Sequence, residues 1–232
     1  MDEHIQQSLK NSLLNSLWIE GVAAKDIAKD IAEIIKIISK YFDIKEILGG
    51  GSRGTATLLD NNRQVLKITS DRSEATAASI IKKNPHPNVY KIYDVFYIGG
   101  RNSPIFDKYF GILQEKLEKL SNTEYLITSG LFGALSDREL SELYFVSHRY
   151  IYSSLKKYFK GYSELTRPKL IILDNLIEDV QNATKHLRGK GIIFVDFVVG
   201  NILKRKSDFV LIDFGYSQSA GEITKMLENN KR

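Results

Sequence analysis

Near the end of this 232-residue chain, Asp196 and Asn201 stand five positions apart, and Asp213 opens the run Asp213-Phe214-Gly215. A carboxylate can orient or accept the proton of a hydroxyl. An amide oxygen and a second carboxylate suit a hard divalent cation. Far upstream lie Gly49-Gly50-Gly51-Ser52-Arg53-Gly54, followed by Lys67. Glycines let backbone N–H groups approach phosphate oxygens, and a strand-borne ammonium can neutralise phosphate charge. Phosphate cradle, ammonium, proton acceptor and cation ligands, in this order, predict a site that holds ATP with Mg²⁺ and moves its terminal phosphate.

Each piece has a blander reading when taken alone. Glycine clusters are commonly turns, but Gly49-x-Gly51-x-x-Gly54 follows a predicted strand and leads into a β-rich segment. That order argues against a dinucleotide-binding fold, in which a helix follows the glycines. A strand lysine is normally solvent-facing; a position after a glycine hairpin makes Lys67 a phosphate ligand that needs an orienting acid. Glu74 is the nearest candidate, although an acid in a first helical turn is also favoured by the helix dipole. Asp196 lies within the apolar stretch Ile192 to Leu203, where a carboxylate is costly without a partner or a task. The four histidines are dispersed and give no metal-ligand spacing.

These residues need elements to carry them. Over residues 1–42, Ile5, Leu9, Leu13, Leu14 and Trp18, and after Gly21 Ala24, Ile27, Ala28, Ile31, Ile34, Ile35 and Ile38, recur at helical spacing. They predict a pair of packing helices. From Asp43 the pattern becomes β-rich: Ile44 to Leu48, Thr55 to Leu59, Val65 to Ile68, Tyr90 to Ile98 and Tyr109 to Leu117 read as five strands. A helix from Glu74 to Lys83, ended by Asn84-Pro85-His86-Pro87, interrupts them, and Gly99 to Asp107 reads as a loop. The second half reads as mainly helical. A helix is predicted over Thr123 to Leu135. Ser136-Asp137-Arg138-Glu139 is a capping box opening a helix to about Phe159, and Pro168 starts another that Gly189 and Gly191 close. Short strands follow at Ile192 to Val195, Ile202 to Leu203 and Phe209 to Ile212, the last delivering Asp213. One or two terminal helical turns are expected from Gly221.

Composition narrows the class. With 43% hydrophobic and 26% charged residues the chain reads as soluble and globular. No apolar run is long enough to span a membrane, and Met1-Asp2-Glu3-His4 does not read as a signal peptide. Without cysteine there are no disulfides, thiolate nucleophiles or cysteine–zinc sites, which fits the cytoplasm. The net charge of +5 is spread among acids; the one dense cluster, Lys204-Arg205-Lys206, reads as a solvated turn, and no DNA or RNA partner is expected.

From about residue 43 to 217 the chain resembles the protein-kinase-like superfamily. Gly49, Gly51 and Gly54 are similar to its glycine-rich loop, and Val65-Leu66-Lys67 to its lysine strand. His86-Pro87-Asn88-Val89 resembles the stretch before the fourth strand, and Leu113-Gln114-Glu115-Lys116-Leu117 the hinge. Asp196 and Asn201 resemble the catalytic loop, and Asp213-Phe214-Gly215 the metal-binding motif. The resemblance implies an α+β, bilobal kinase-like fold: an N-terminal helical extension over 1–42, a five-stranded lobe over 43–117 and a truncated, mainly helical lobe over 118–232. It implies that backbone groups of Glu115 and Leu117 bind adenine with Gln114 as gatekeeper. Lys67 would hold the α- and β-phosphates, oriented by Glu74; Asp196 would position the acceptor, and Asn201 and Asp213 would bind Mg²⁺. Phe194-Val195 replace the usual His-Arg, Val198 replaces a lysine, and only seventeen residues follow Gly215, short of an activation segment and substrate helices. This resembles compact kinases of the RIO type, phage-encoded serine/threonine kinases and bacterial effector kinases, so the expected partner is a protein substrate in the cytoplasm, or in a host's cytoplasm. A small-molecule phosphotransferase and a nucleotide-binding pseudokinase are the alternative readings.

Overall fold

The structure is a computed structural model that describes residues 3–16, 24–51, 54–98, 109–158, 166–214 and 218–219. Readings that rest on Trp18, Gly21, Ser52, Arg53, the loop Gly99 to Asp107, Gly215 and the segment from Gly221 lie outside the described residues. The fold is α+β and divides into two units, Met1–Lys83 with Lys91–Lys116, and Asn84–Tyr90 with Leu117–Arg232.

In the first unit, helices α1 (Glu3–Ser16) and α2 (Ala24–Tyr41) precede strands β1 (Ile44–Gly51), β2 (Gly54–Leu59) and β3 (Gln64–Thr69). Helix α3 (Arg72–Lys83), β4 (Ile92–Tyr97) and β5 (Phe110–Glu115) follow. The sheet is antiparallel throughout, in the order β1-β2-β3-β5-β4. Successive side chains of a strand point to opposite faces. Leu66 and Ile68 of β3 join Ile44, Leu59, Ile98 and Tyr109 in a core shared with Leu9, Ile34, Ile35 and Ile38 of the two N-terminal helices. Those helices therefore cover one sheet face. Lys67 belongs to the other face, where α3 supplies Glu74. A strand buried on both faces shows an almost continuous apolar run, here Val65-Leu66-Lys67-Ile68, instead of clean alternation.

The second unit is mainly helical, with α4 (Asn122–Ala134), α5 (Asp137–Ser141), α6 (His148–Tyr158) and α7 (Arg167–Gly189). Strands β6 (Ile192–Ile193), β7 (Ile202–Arg205), β8 (Asp208–Leu211) and β9 (Gln218–Ser219) pair as β6 with β9 and β7 with β8. The capping box read at Ser136 and Glu139 is present, and a second joins Ser121 and Glu124 at the start of α4. The single helix expected from Ser136 to about Phe159 is not formed. It breaks after Ser141 into a 3₁₀ turn, Leu143–Phe145, and restarts at His148. The cause is competition for the backbone. Gln181 Nε2 of α7 donates to the carbonyls of Leu143 (2.9 Å) and Val146 (2.8 Å), and the Ser147 hydroxyl accepts from the Tyr150 N–H. Ser147 thereby opens a new helix where one continuous helix would have passed. Tyr152 donates to Asp174 at 2.5 Å, tying α6 to α7. Among the described residues, no helix is long and apolar enough to cross a membrane.

Candidate functional site

In the sheet unit, Lys67 Nζ lies 2.5 Å from Glu74 Oε1, with 15% of the lysine side chain and 2% of the glutamate exposed. Two local causes set this geometry. Lys67 sits mid-strand, flanked in register by Ala56 of β2 and Ile112 of β5. Glu74 is fixed in the first turn of α3 because Asp71 caps that helix: its Oδ1 accepts from the N–H of Ser73 (2.8 Å) and of Glu74 (3.3 Å). Both readings of Glu74, an acid in a first turn and a partner for Lys67, therefore describe the same residue.

The glycines contribute differently. Gly49 and Gly51 lie in β1 and Gly54 opens β2, with Gly51 paired to Gly54. A Cβ added at Gly54 would sit 2.4 Å from the Ile68 carbonyl oxygen, so this position closes the β2–β3 packing. At Gly49 a Cβ would meet nothing within 4 Å. The first glycine leaves open space and the last is required by the sheet. Glu115 ends β5, where its N–H donates to the Lys91 carbonyl and its carboxylate accepts from the Lys91 N–H.

In the helical unit, Asn201 bonds Asp196, and its backbone pairs with the residue before Asp213. Asn201 Nδ2 donates to both the main-chain oxygen and Oδ2 of Asp196, each at 3.0 Å. The main-chain oxygen of Asn201 accepts from the N–H of Ile212 (2.9 Å), the residue before Asp213. With both amide hydrogens committed to Asp196, the Asn201 side chain presents Oδ1 as its acceptor end. Asp213 has φ +58°, in the left-handed region that costs an L-residue about 1–2 kcal/mol. Such backbone persists where its surroundings over-determine it, and it clusters at functional sites. An amide oxygen and a carboxylate match the donor preference of Mg²⁺, which keeps several of its own waters. Among the described residues, no group of three or more His, Asp or Glu side chains forms an all-protein metal cage.

An aromatic chain supports these loops. Phe194 meets Phe197 edge-on (centroids 4.8 Å apart) and Phe214 edge-on (5.4 Å). Phe214 stacks on Tyr90 (5.3 Å), and Phe197 meets Phe132 of α4 (5.7 Å). Phe194, Phe197 and Phe214 are buried, whereas Val195 and Val198 are 43% and 49% exposed on either side of Asp196. Leu117 lies just before the bridge that pairs Glu118 with Lys204 of β7.

Sequence reasoning missed several residues that hold this region. Asp179 of α7 accepts from Asn88 Nδ2 (2.7 Å) and from the Phe209 N–H (2.8 Å), anchoring both the Asn88 segment and the start of β8. Burial pushes the Asp179 carboxyl above its ordinary range, against the pull of those two donors. Segment 88–90 then pairs with β8 through Leu211, whose N–H donates to Asn88 and whose oxygen accepts from Tyr90. Nothing in the spacing of Glu178-Asp179 distinguishes the second acid from a solvated one. The basic cluster is also not the solvated turn expected of it. Only Lys206 is an exposed turn residue, at φ +58°. Lys204 is buried, pairs with Glu124 (3.1 Å) and lies 4.1 Å from the Phe209 ring centroid. Arg205 donates to the carbonyls of Pro87 and Val89.

Against known proteins, no family model matches the chain and no curated protein matches its sequence.

Proposed function

We propose that the chain is a minimal, atypical protein kinase, which transfers the γ-phosphate of ATP to serine or threonine hydroxyls of a protein substrate. The observation that carries this reading is the hydrogen-bonded turn joining Asp196, Asn201 and the backbone leading into Asp213. In this reading Asp196 is the carboxylate suited to a hydroxyl proton, and Asn201 and Asp213 are the oxygen ligands suited to a hard cation. The Lys67–Glu74 pair, in the other unit, would supply the oriented ammonium that the same chemistry needs.

In this reading Lys67 neutralises the α- and β-phosphates while Glu74 fixes its ammonium, and the open backbone at Gly49 admits phosphate oxygens. Asn201 and Asp213 would hold Mg²⁺, which when bound neutralises charge on the phosphates. The backbone of Glu115 and Leu117 would bind adenine. Asp196 orients the acceptor hydroxyl and takes its proton as the new O–P bond forms and the bond to the ADP oxygen breaks. Phe194, which stands where the protein-kinase-like family carries a histidine, packs against Phe214, so an aromatic contact would do the positioning that a hydrogen bond does elsewhere.

The test is incubation of purified protein with γ-labelled ATP and Mg²⁺, with protein acceptors and separately with sugar or amine acceptors. Label should reach protein and should disappear in Asp213→Ala and Asp196→Asn. Label confined to small acceptors would replace this reading with a small-molecule phosphotransferase, and nucleotide binding without transfer would replace it with a pseudokinase.

A further inference from the structure

Asp179, on α7, holds two pieces of chain that the sequence keeps far apart. Its Oδ1 accepts from Asn88 Nδ2 (2.7 Å) and its Oδ2 from the Phe209 N–H (2.8 Å). A carboxylate is a costly group to place here. Burial and, less strongly, the neighbouring acids Asp208 and Glu178 work against its charge. Two donors converging from separate segments nevertheless need two acceptor oxygens. An ionised carboxylate offers two with no donor of its own, whereas an asparagine would turn its N–H₂ toward one of the donors.

What this clamp fixes is the edge of β8. Asn88 Nδ2 also donates to the Phe209 carbonyl (3.3 Å), so Asp179 and Asn88 together engage both backbone groups of Phe209. Further along, the Leu211 N–H donates to the Asn88 carbonyl (2.9 Å), and the Leu211 carbonyl accepts from the Tyr90 N–H (3.1 Å). Segment 88–90 therefore lies along β8 from Phe209 to Leu211, with Asp179 pinning both at one end. All of these residues belong to the helical unit. Four residues beyond the pinned Phe209 the chain delivers Asp213, and the next residue, Phe214, stacks on Tyr90 of the same segment. At φ +58°, Asp213 keeps its backbone only while its surroundings over-determine it.

We infer that Asp179 is a positioning residue for phosphate transfer: by clamping segment 88–90 to the start of β8, it sets where Asp213 meets the divalent cation. This rests on the phosphotransfer reading above, in which Asp213 is a cation ligand. Asp179 acts through the backbone of β8 and not on the substrate.

The experiment has two readouts. One is amide hydrogen exchange at Phe209, Leu211 and Ile212, followed by NMR. The other is the Mg²⁺ concentration that gives half-maximal transfer from γ-labelled ATP to a protein acceptor. The proteins are full-length wild type, Asp179→Asn, Asp179→Leu and Asn88→Ala, with Tyr152→Phe as control because it loses the bond that ties α6 to α7. In both Asp179 variants the three amides should exchange about tenfold faster, and half-maximal transfer should need about tenfold more Mg²⁺, with the KM for the protein acceptor within about twofold of wild type. Asn88→Ala leaves Asp179 its Phe209 bond, so it should move both readouts less in the same direction; it carries the test if the Asp179 variants do not fold. Tyr152→Phe should lower the melting temperature without moving the Mg²⁺ requirement, which separates positioning from lost stability. Unchanged exchange at Ile212, an unchanged Mg²⁺ requirement, or an equal shift in Tyr152→Phe overturns the role of Asp179. If wild type transfers phosphate and the variants keep its Mg²⁺ requirement, this inference alone falls. If wild type transfers none, both readings fall.

Discussion

Replacing Lys67 by methionine removes the ammonium that faces Glu74, a carboxyl whose side chain is only 2% exposed. Breaking a buried pair by removing one member costs about 3–5 kcal/mol, mostly because the remaining charge is uncompensated. Lys67 keeps 15% exposure, so some solvent reaches the pair and the lower end applies, about 3 kcal/mol. For a chain of this size that lowers the melting temperature by about 6–12 °C. Replacing both residues, Lys67→Met with Glu74→Leu, removes the buried carboxyl together with its ammonium and should return stability to within about 1 kcal/mol of wild type. The double variant should still bind no Mg·ATP, because stability is restored without restoring an ammonium. The assays are thermal and urea unfolding of the two single and one double variant, with nucleotide titration of each. A loss below about 1 kcal/mol for Lys67→Met would place the pair among exposed ion pairs. Additive losses in the double variant would show no coupling. Either result refutes the reasoning.

The two glycine positions should separate fold from function. Gly54→Ala forces a Cβ to 2.4 Å from a backbone oxygen and should destabilise the sheet unit by about 1–3 kcal/mol in urea unfolding. Gly49→Ala meets no such contact, so it should melt within about 1 kcal/mol of wild type while weakening Mg·ATP affinity in the same titration. At Asp213, with φ +58°, Asp213→Gly should be more stable than Asp213→Ala by about 1 kcal/mol, with phosphate transfer absent from both. His86 is held below its ordinary value of 6.5 by burial and, secondarily, by His186, whose ring stacks on it 4.5 Å away. The folded state therefore binds fewer protons than the unfolded chain below pH 6.5. The stabilisation is full above that pH and is lost as pH falls through the lowered value. The melting temperature of His86→Asn should thus trail wild type by less at pH 5.5 than at pH 7.5.

How much of this was legible in the sequence depends on whether an interaction is local. The five strands, α3 and the Ser136 capping box follow from patterns that reach no further than a few residues, and the structure contains them. Lys67 and Glu74 are seven residues apart on adjacent elements, close enough to be paired by inspection. Asp71 was missed, and the helix it caps starts at Arg72, two residues before the predicted Glu74. Asp179 was missed as well. Its role depends on Asn88 and Phe209, 91 and 30 positions away, and no local pattern marks an acid that serves distant donors. The break at Leu143–Phe145 was hidden for the same reason, because the amide that takes its carbonyls belongs to Gln181. Lys204 read as solvated because its acid, Glu124, and its ring, Phe209, are brought to it by tertiary packing.

The placement of the two carboxylates follows a simpler rule than their hydrogen bonds would imply. Phe194 and Phe197 are buried, so the intervening Val195 and Asp196, and then Val198, are pushed outward. Phe214 is fully buried, so Asp213 before it is displayed in the same way, with its backbone forced to positive φ. Each carboxylate is the partly exposed neighbour of a buried phenylalanine, and Phe194 and Phe214 touch. Burial of aromatic side chains, about 1.5–3 kcal/mol each, thus sets where Asp196 and Asp213 emerge. Asp196 also accepts a hydrogen bond from Asn201 Nδ2 at 3.0 Å. An apolar anchor one residue away fixes the backbone of each carboxylate whatever partners its oxygens take.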